Sequence, residues 1–155
     1  MHDVSTRLTG YWFSFETLSP KDLHDLLKLR QDVFVLEQTC LYPDIDGKDP
    51  DAQHYLLREG AAGPLAGAIR MFTDGNQSEA RIGRVVIAQS HRGQGLGRVL
   101  MRDAIAEARR QIPGCVIHVS AQAHLEKFYR SLGFQTISDS YLEDGIPHLD
   151  MASGI

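Results

Sequence analysis

Arg92-Gly93-Gln94-Gly95-Leu96-Gly97 decides the fold, because an apolar run precedes it and an amphipathic run follows it. Upstream, Arg81-Ile82-Gly83-Arg84-Val85-Val86-Ile87-Ala88 is β-branched and apolar, as a strand is. Downstream, small or apolar residues fall at Gly97, Leu100, Met101, Ala104, Ile105 and Ala108, the i, i+3, i+4, i+7, i+8 series of one helical face. Pro113-Gly114 stops that helix. The order is strand, glycine-rich turn, helix. Such a turn leaves backbone N–H groups unpaired at a helix start, where the macrodipole is positive. Three glycines remove the side chains that would hold an anion away. A diphosphate is the natural occupant. Arg92 and Arg98 can fork onto its oxygens.

Spacing discriminates among phosphate ligands. A nucleotide-hydrolase loop needs Gly-x4-Gly-Lys-Ser/Thr, and no lysine follows here. A dinucleotide fingerprint would begin at Gly93 and meet Arg98 where glycine is required; no acidic residue closes the next strand, which ends near Ser120. Arg-x-x-Gly-x-Gly at Arg92, Gly95 and Gly97 fits neither pattern. It resembles the acetyl-coenzyme A signature of the GNAT superfamily of N-acetyltransferases.

Toward the N-terminus, Leu8 to Glu16 reads as a strand carrying Tyr11, Trp12, Phe13 and Phe15. Ser19 is placed to cap a helix, with Pro20 at its first position and Asp22 in its first turn. Leu23, Leu26, Leu27, Arg30 and Phe34 give that helix one face as far as about Gln38. Leu41 to Gln53 is a loop punctuated by Pro43, Gly47 and Pro50. Its Asp44, Asp46, Asp49 and Asp51 do not make a calcium loop: with Gly47 as the loop glycine the first ligand would be Tyr42, and no glutamate closes it. They read as turn-forming aspartates in a solvated loop, or as a negative rim that attracts a cationic acceptor. His54 to Glu59 and Leu65 to Thr73 are strands joined tightly through Gly60-Ala61-Ala62-Gly63-Pro64, and Asp74-Gly75-Asn76 turns into the strand at Glu79 to Ala88.

Beyond the central helix, Cys115 to Ala121 is β-branched. Gln122 to Leu132 is a short helix with Leu125, Phe128, Tyr129 and Leu132 on one face, ended by Gly133. Phe134 to Ile137 and His148 to Met151 form a last strand pair joined by residues 138–147. The order βα-βββ-α-β-α-ββ implies an α/β (α+β) domain whose mixed sheet carries helices on both faces. This order also resembles the GNAT fold, which implies a mostly antiparallel sheet of about six to seven strands. Leu125-Glu126-Lys127-Phe128-Tyr129-Arg130-Ser131-Leu132-Gly133-Phe134 resembles that family's next motif. Leu29 to Gln38, Tyr42-Pro43-Asp44-Ile45-Asp46-Gly47 and Tyr141 to His148 resemble one branch, the ElaA-like proteins.

The resemblance implies that residues 92–97 (Arg92, Gly93, Gln94, Gly95, Leu96, Gly97), with Arg98, cradle a pyrophosphate. It implies that Val85, Val86 and Ile87 lie along the pantetheine arm, pairing with its amides as an added strand would. Tyr129 resembles the tyrosine that donates toward the coenzyme A sulfur. Gln122 stands where the family commonly has asparagine. Amine acetylation also needs a neutral amine. Neutralising lysine at pH 7 costs roughly 4.6 kcal/mol, an α-amine roughly 1.4 kcal/mol. A lysine wants a positioned base; an α-amine manages with water. Many relatives keep a carboxylate on the strand before the turn, and Arg81 to Ala88 has none. The candidates are Glu37, Glu143 and His148, with His118 more naturally an interior histidine.

A chain of 155 residues is one domain by length. Hydrophobic content of 43% and charged content of 23% exclude a disordered class. A net charge of −4 leaves no basic footprint for nucleic acid. No apolar run is long enough for a membrane span, and Met1-His2-Asp3-Val4 does not open a signal peptide. Two scattered cysteines, Cys40 and Cys115, read as reduced cytoplasmic thiols, without the partner base that an acetyl-cysteine intermediate needs. The expectation is a cytoplasmic acetyl-coenzyme A-dependent N-acetyltransferase, residues 1–155, with acetyl-coenzyme A as cosubstrate, an amine acceptor, no metal, and a homodimer left open. The rival is a non-catalytic acyl-coenzyme A sensor. A nucleotide hydrolase is third, and the missing lysine argues against it.

Overall fold

The computed structural model describes residues 7–154. The expectation resting on Met1 to Val4 lies outside the described residues. Eight strands are described: β1 (Leu8–Ser14), β2 (Gln53–Glu59), β3 (Leu65–Asp74), β4 (Glu79–Ile87), β5 (Val116–Gln122), β6 (Gln135–Thr136), β7 (Tyr141–Glu143) and β8 (Ile146–Ser153). Three α-helices accompany them: α1 (Pro20–Arg30), α2 (Leu96–Gln111) and α3 (Glu126–Ser131). The fold is mixed α+β around an open, mostly antiparallel sheet, ordered β1-β2-β3-β4-β5-β8-β6, with β7 beside β8. The chain forms two compact units: residues up to Arg70 with Arg84–Gly97, and Met71–Gly83 with Arg98 onward.

In the first unit, Ser19 caps α1 by accepting from the Asp22 N–H at 3.0 Å, and Pro20 takes a position whose N–H would be unpaired anyway. Leu26, Leu29 and Val33 pack with Leu56, Leu65, Ala68 and Val86. The helix expected to run to Gln38 instead widens after Arg30 into a π-helical segment, Gln31–Glu37. Its signature is the five-residue bond: Gln38 N–H donates to Val33 and Cys40 N–H to Val35.

In the second unit, α2 buries Leu100, Met101, Ala104 and Ala108 completely, on the stripe set by the helical period. Strand β5 alternates: Ile117, Val119 and Ala121 are buried, while Val116, His118, Ser120 and Gln122 lie half-exposed on the opposite face. Register then places Asp150 opposite Ser120 and His148 opposite Gln122. Residues 138–147 are more than a connection. Tyr141–Glu143 forms β7, a hairpin with β8 closed by Asp144-Gly145. Both turn residues have positive φ, 51° and 75°, the pair that a tight hairpin requires and that Asp-Gly supplies.

Candidate active site

The glycine turn stands at the head of α2. Gly93 and Gly95 have φ of 79° and 72°, and a Cβ on either would meet no atom within 4 Å. Among the described residues, nothing accepts from the N–H groups of Gly93, Gln94 or Gly95. The first turn of α2 adds more unpaired donors at the positive end of a 16-residue helix. The approach to the turn is anchored. His91 Nε2 donates to Glu59 Oε1 on β2 at 2.6 Å, and Ser90 Oγ lies 2.8 Å from His91 Nδ1. A bare, donor-rich turn with open space above it fits a pyrophosphate.

Neither arginine expected at the phosphates stands free. Arg92 forks onto Glu37, with Nη2 to Oε1 at 2.7 Å, and also reaches the Ile87 carbonyl. That guanidinium holds the Glu37 carboxyl below its usual range, which makes Glu37 a weak base. Arg98 donates to Ser131 Oγ at 2.9 Å and lies over the Phe128 ring. With Arg102 and Arg109 it lines a cavity of about 370 Å³. Val86 is buried, while Val85 and Ile87 are half-buried.

The loop from Leu41 is largely exposed, but three of its four aspartates are not the solvated turn-formers expected from sequence. Arg30, 1% exposed, donates to Asp44 through Nε at 2.9 Å and to Asp49 through Nη1 at 2.7 Å. Arg70 grips both Asp46 oxygens at 2.9 Å and reaches Asp49 at 3.1 Å. Arg84 places Nε 2.9 Å from Asp44 Oδ1 and donates through Nη2 to the Asp44 carbonyl at 3.0 Å and to Asp46 at 3.3 Å. Buried His54 donates to the Asp49 carbonyl at 2.9 Å, and burial lowers its pKa, so it is neutral. Three guanidiniums thus meet three carboxylates, a composition that lets charge be buried. Asp51 is exposed and stands outside this network, as the solvated expectation has it; Asp46 is exposed too, but held by Arg70 and Arg84.

This network predicts a pH dependence. Hydrogen bonds from Arg70 hold Asp46 well below the ordinary range; burial pushes Asp49 up, but Arg30 and Arg70 outweigh it and the net shift is down. On α1, Asp25 is lowered to about 2, chiefly by Lys21. A depressed folded pKa contributes stability that is complete above the unfolded value near 4 and is lost as pH falls toward the folded one. The melting temperature should therefore stay level from pH 7 to about pH 4.5 and fall below about pH 4. Asp46→Asn should flatten that fall, as measured by thermal unfolding across pH.

In the second unit, Tyr129 is 7% exposed, edge-on to Phe128 and Phe134 at 5.2 and 5.9 Å. Burial pushes its pKa up to about 12. No described residue hydrogen-bonds its hydroxyl. Glu143 and His148 come together: Nε2 lies 3.6 Å from Glu143 Oε2. His148 Nδ1 donates to the Ile146 carbonyl at 2.7 Å, which leaves Nε2 with the lone pair in the neutral ring. Tyr141 stacks on that ring, donates to Asp150 at 2.5 Å and lies 2.6 Å from Ser120 Oγ. Ser120 and Asp150, absent from the candidates drawn from sequence, became visible only through the β5–β8 register. His118 Nε2 lies 3.6 Å from Glu79 and is buried without a hydrogen bond among the described residues.

The acetyltransferase (GNAT) domain family matches residues 22–154, and the chain belongs to that family of acyl-coenzyme A-dependent acyltransferases. Protein ElaA of Escherichia coli K12 is 38% identical over 136 residues, 87% of this chain and 89% of ElaA. Its crystal structure aligns with TM-score 0.85 and 35% identity over 95% of this chain and 99% of that one. A UPF0039 protein of Schizosaccharomyces pombe is 41% identical over 138 residues, 88% of this chain and 91% of its own length. The crystal structure of an acyl-CoA N-acyltransferase from Pseudomonas aeruginosa aligns with TM-score 0.87 and 38% identity, over 95% of this chain and 99% of that one. The resemblances to the family and to its ElaA-like branch are both borne out. No described helix is long and apolar enough to cross a membrane.

Proposed function

We propose that the chain is an acetyl-coenzyme A-dependent N-acetyltransferase that moves the acetyl group directly to a primary amine of a small molecule, peptide or protein. The observation that carries this is the row of unpaired N–H groups at Gly93 to Gly95 before α2. In this reading the turn holds the pyrophosphate. Val85, Val86 and Ile87 pair with the pantetheine amides, and Gln122 contacts the carrier. The reading takes residues 1–155 as one cytoplasmic domain, with Cys40 and Cys115 reduced. It needs no metal and no nucleic acid.

The proton accounting assigns roles. His148 Nε2 takes the first proton of the acceptor's ammonium, and the Glu143 carboxylate stabilises the imidazolium. The neutral nitrogen then attacks the thioester carbon, and the thiolate leaves. Tyr129 gives its proton to the sulfur and is recharged by the second proton from nitrogen. A phenol near 12 facing a thiol near 8.5 makes a one-way transfer uphill by roughly 5 kcal/mol, so recharging must accompany departure.

Thiol release from acetyl-coenzyme A in the presence of amines, peptides and polyamines tests the activity. Binding without release for every amine would favour the sensor. Tyr129→Phe should lower kcat about 100-fold and leave the acetyl-coenzyme A dissociation constant within about twofold. An unchanged kcat would move the acid role elsewhere.

A further inference from the structure

We infer, resting on the proposed acetyl transfer, that the acceptor is a diamine: its reacting ammonium sits at His148 and Glu143, and a second ammonium on the same short chain sits at Asp150. The two carboxylates are joined through two hydroxyls. Tyr141 donates to Asp150 Oδ1 at 2.5 Å and lies 2.6 Å from Ser120 Oγ, which lies 3.4 Å from Glu143 Oε1. Burial and the Asp150 carboxylate raise the pKa of Tyr141, so the phenol keeps its proton. That proton points at Asp150, and the Tyr141 oxygen accepts from Ser120. Ser120 has a single hydrogen, so Glu143 receives none from it. No described lysine or arginine pairs with Glu143 or Asp150. The aspartates at 44, 46 and 49, by contrast, are each held by a guanidinium.

His148 is an independent sign of a ligand. Its side chain is 9% exposed, and Nδ1 is committed to the Ile146 carbonyl, so Nε2 carries a lone pair. Glu143 Oε2, 3.6 Å away, is an acceptor too, and no described residue donates to either atom. Acceptors that face acceptors need donors between them. An ammonium brings three N–H donors and no acceptor, whereas a carboxylate would bring only more acceptors. Strand geometry sets the spacing. His148 and Asp150 are two residues apart on β8, hence on one face, opposite Gln122 and Ser120 of β5. That interval is about 7 Å, which about four methylenes span between two nitrogens. With His148 neutral, two carboxylates match two ammoniums in charge. Transfer breaks the thioester C–S bond and forms one amide C–N bond. One proton of the reacting ammonium ends on the coenzyme A sulfur, a second is released to solvent, and the distal ammonium is unchanged.

Putrescine, butylamine and γ-aminobutyrate are acceptors of comparable length that differ chiefly at the far end, which carries an ammonium, a methyl group or a carboxylate. Thiol release from acetyl-coenzyme A should give putrescine a kcat/KM about 30-fold above that of butylamine, mostly through KM, with γ-aminobutyrate below both. Asp150→Asn keeps an acceptor for Tyr141 and removes the charge, so it should cut the putrescine-to-butylamine ratio about tenfold. Equal kcat/KM for putrescine and butylamine, a ratio that survives Asp150→Asn, or a lysyl peptide preferred to putrescine would each overturn the inference and leave the transferase reading standing. No thiol release with any amine would remove that reading, and this inference with it.

Discussion

Replacing Gly95 with valine is expected to raise the dissociation constant of acetyl-coenzyme A at least about 100-fold, equivalent to roughly 2.7 kcal/mol. Two effects combine. The residue sits at φ 72°, where a β-branched side chain is disfavoured, so the turn itself is pushed to change. The new Cβ would meet no atom of the protein within 4 Å, so the bulk projects into space that the proposed pyrophosphate would fill. Folding should suffer far less than binding. Strain at one turn residue costs about 1–2 kcal/mol, a drop of several degrees in Tm. Calorimetric titration beside thermal unfolding distinguishes the two losses. Wild-type affinity in a folded Gly95→Val protein would mean that the carrier binds elsewhere.

Replacing Arg30 with alanine is expected to be the costliest single change to stability, about 3–5 kcal/mol. The side chain is 1% exposed and its partners Asp44 and Asp49 are 8% and 6% exposed, so removing it leaves two carboxylates away from water with one guanidinium each, Arg84 and Arg70, and the network one positive charge short. Arg84, with its side chain 25% exposed, should cost less, because Asp44 keeps its pair with the buried Arg30 and Asp46 its pair with Arg70. Urea unfolding of the variants measures the difference. Removing charge on both sides, as in Arg30→Met with Asp49→Asn, should recover part of the loss, since the penalty lies in the uncompensated charge. A cost under about 1 kcal/mol for Arg30→Ala would mean that the network is solvated in solution.

Surface pairs are a different matter. Arg92 and Glu37 are each 39% exposed, and such pairs contribute little to stability. Their interest is chemical. Glu37 is spent on Arg92, whereas the exposed Glu143 remains beside His148. The sequence offered both carboxylates on equal terms as proton acceptors; the side-chain geometry favours the second.

The glycine turn, the cap at Ser19 and the stripe on α2 were all legible before any coordinates, because each is governed by neighbours within one or two turns of chain. Helical and strand periods, and the freedom of glycine at positive φ, need no distant partner. The Asp144-Gly145 hairpin was legible in principle, since its signal is a local dipeptide. What the chain's order could not disclose is the identity of charge partners. Asp49 meets Arg30 across 19 residues, and Asp44 meets Arg84 across 40. Ser120 meets Tyr141 only because β5 and β7 both flank β8. An aspartate in a Pro- and Gly-rich loop reads as solvated until the fold delivers a guanidinium to it. Local steric rules shaped the glycine turn, whereas burial and long-range pairing decided which carboxylates hold the loop and which remains beside a histidine.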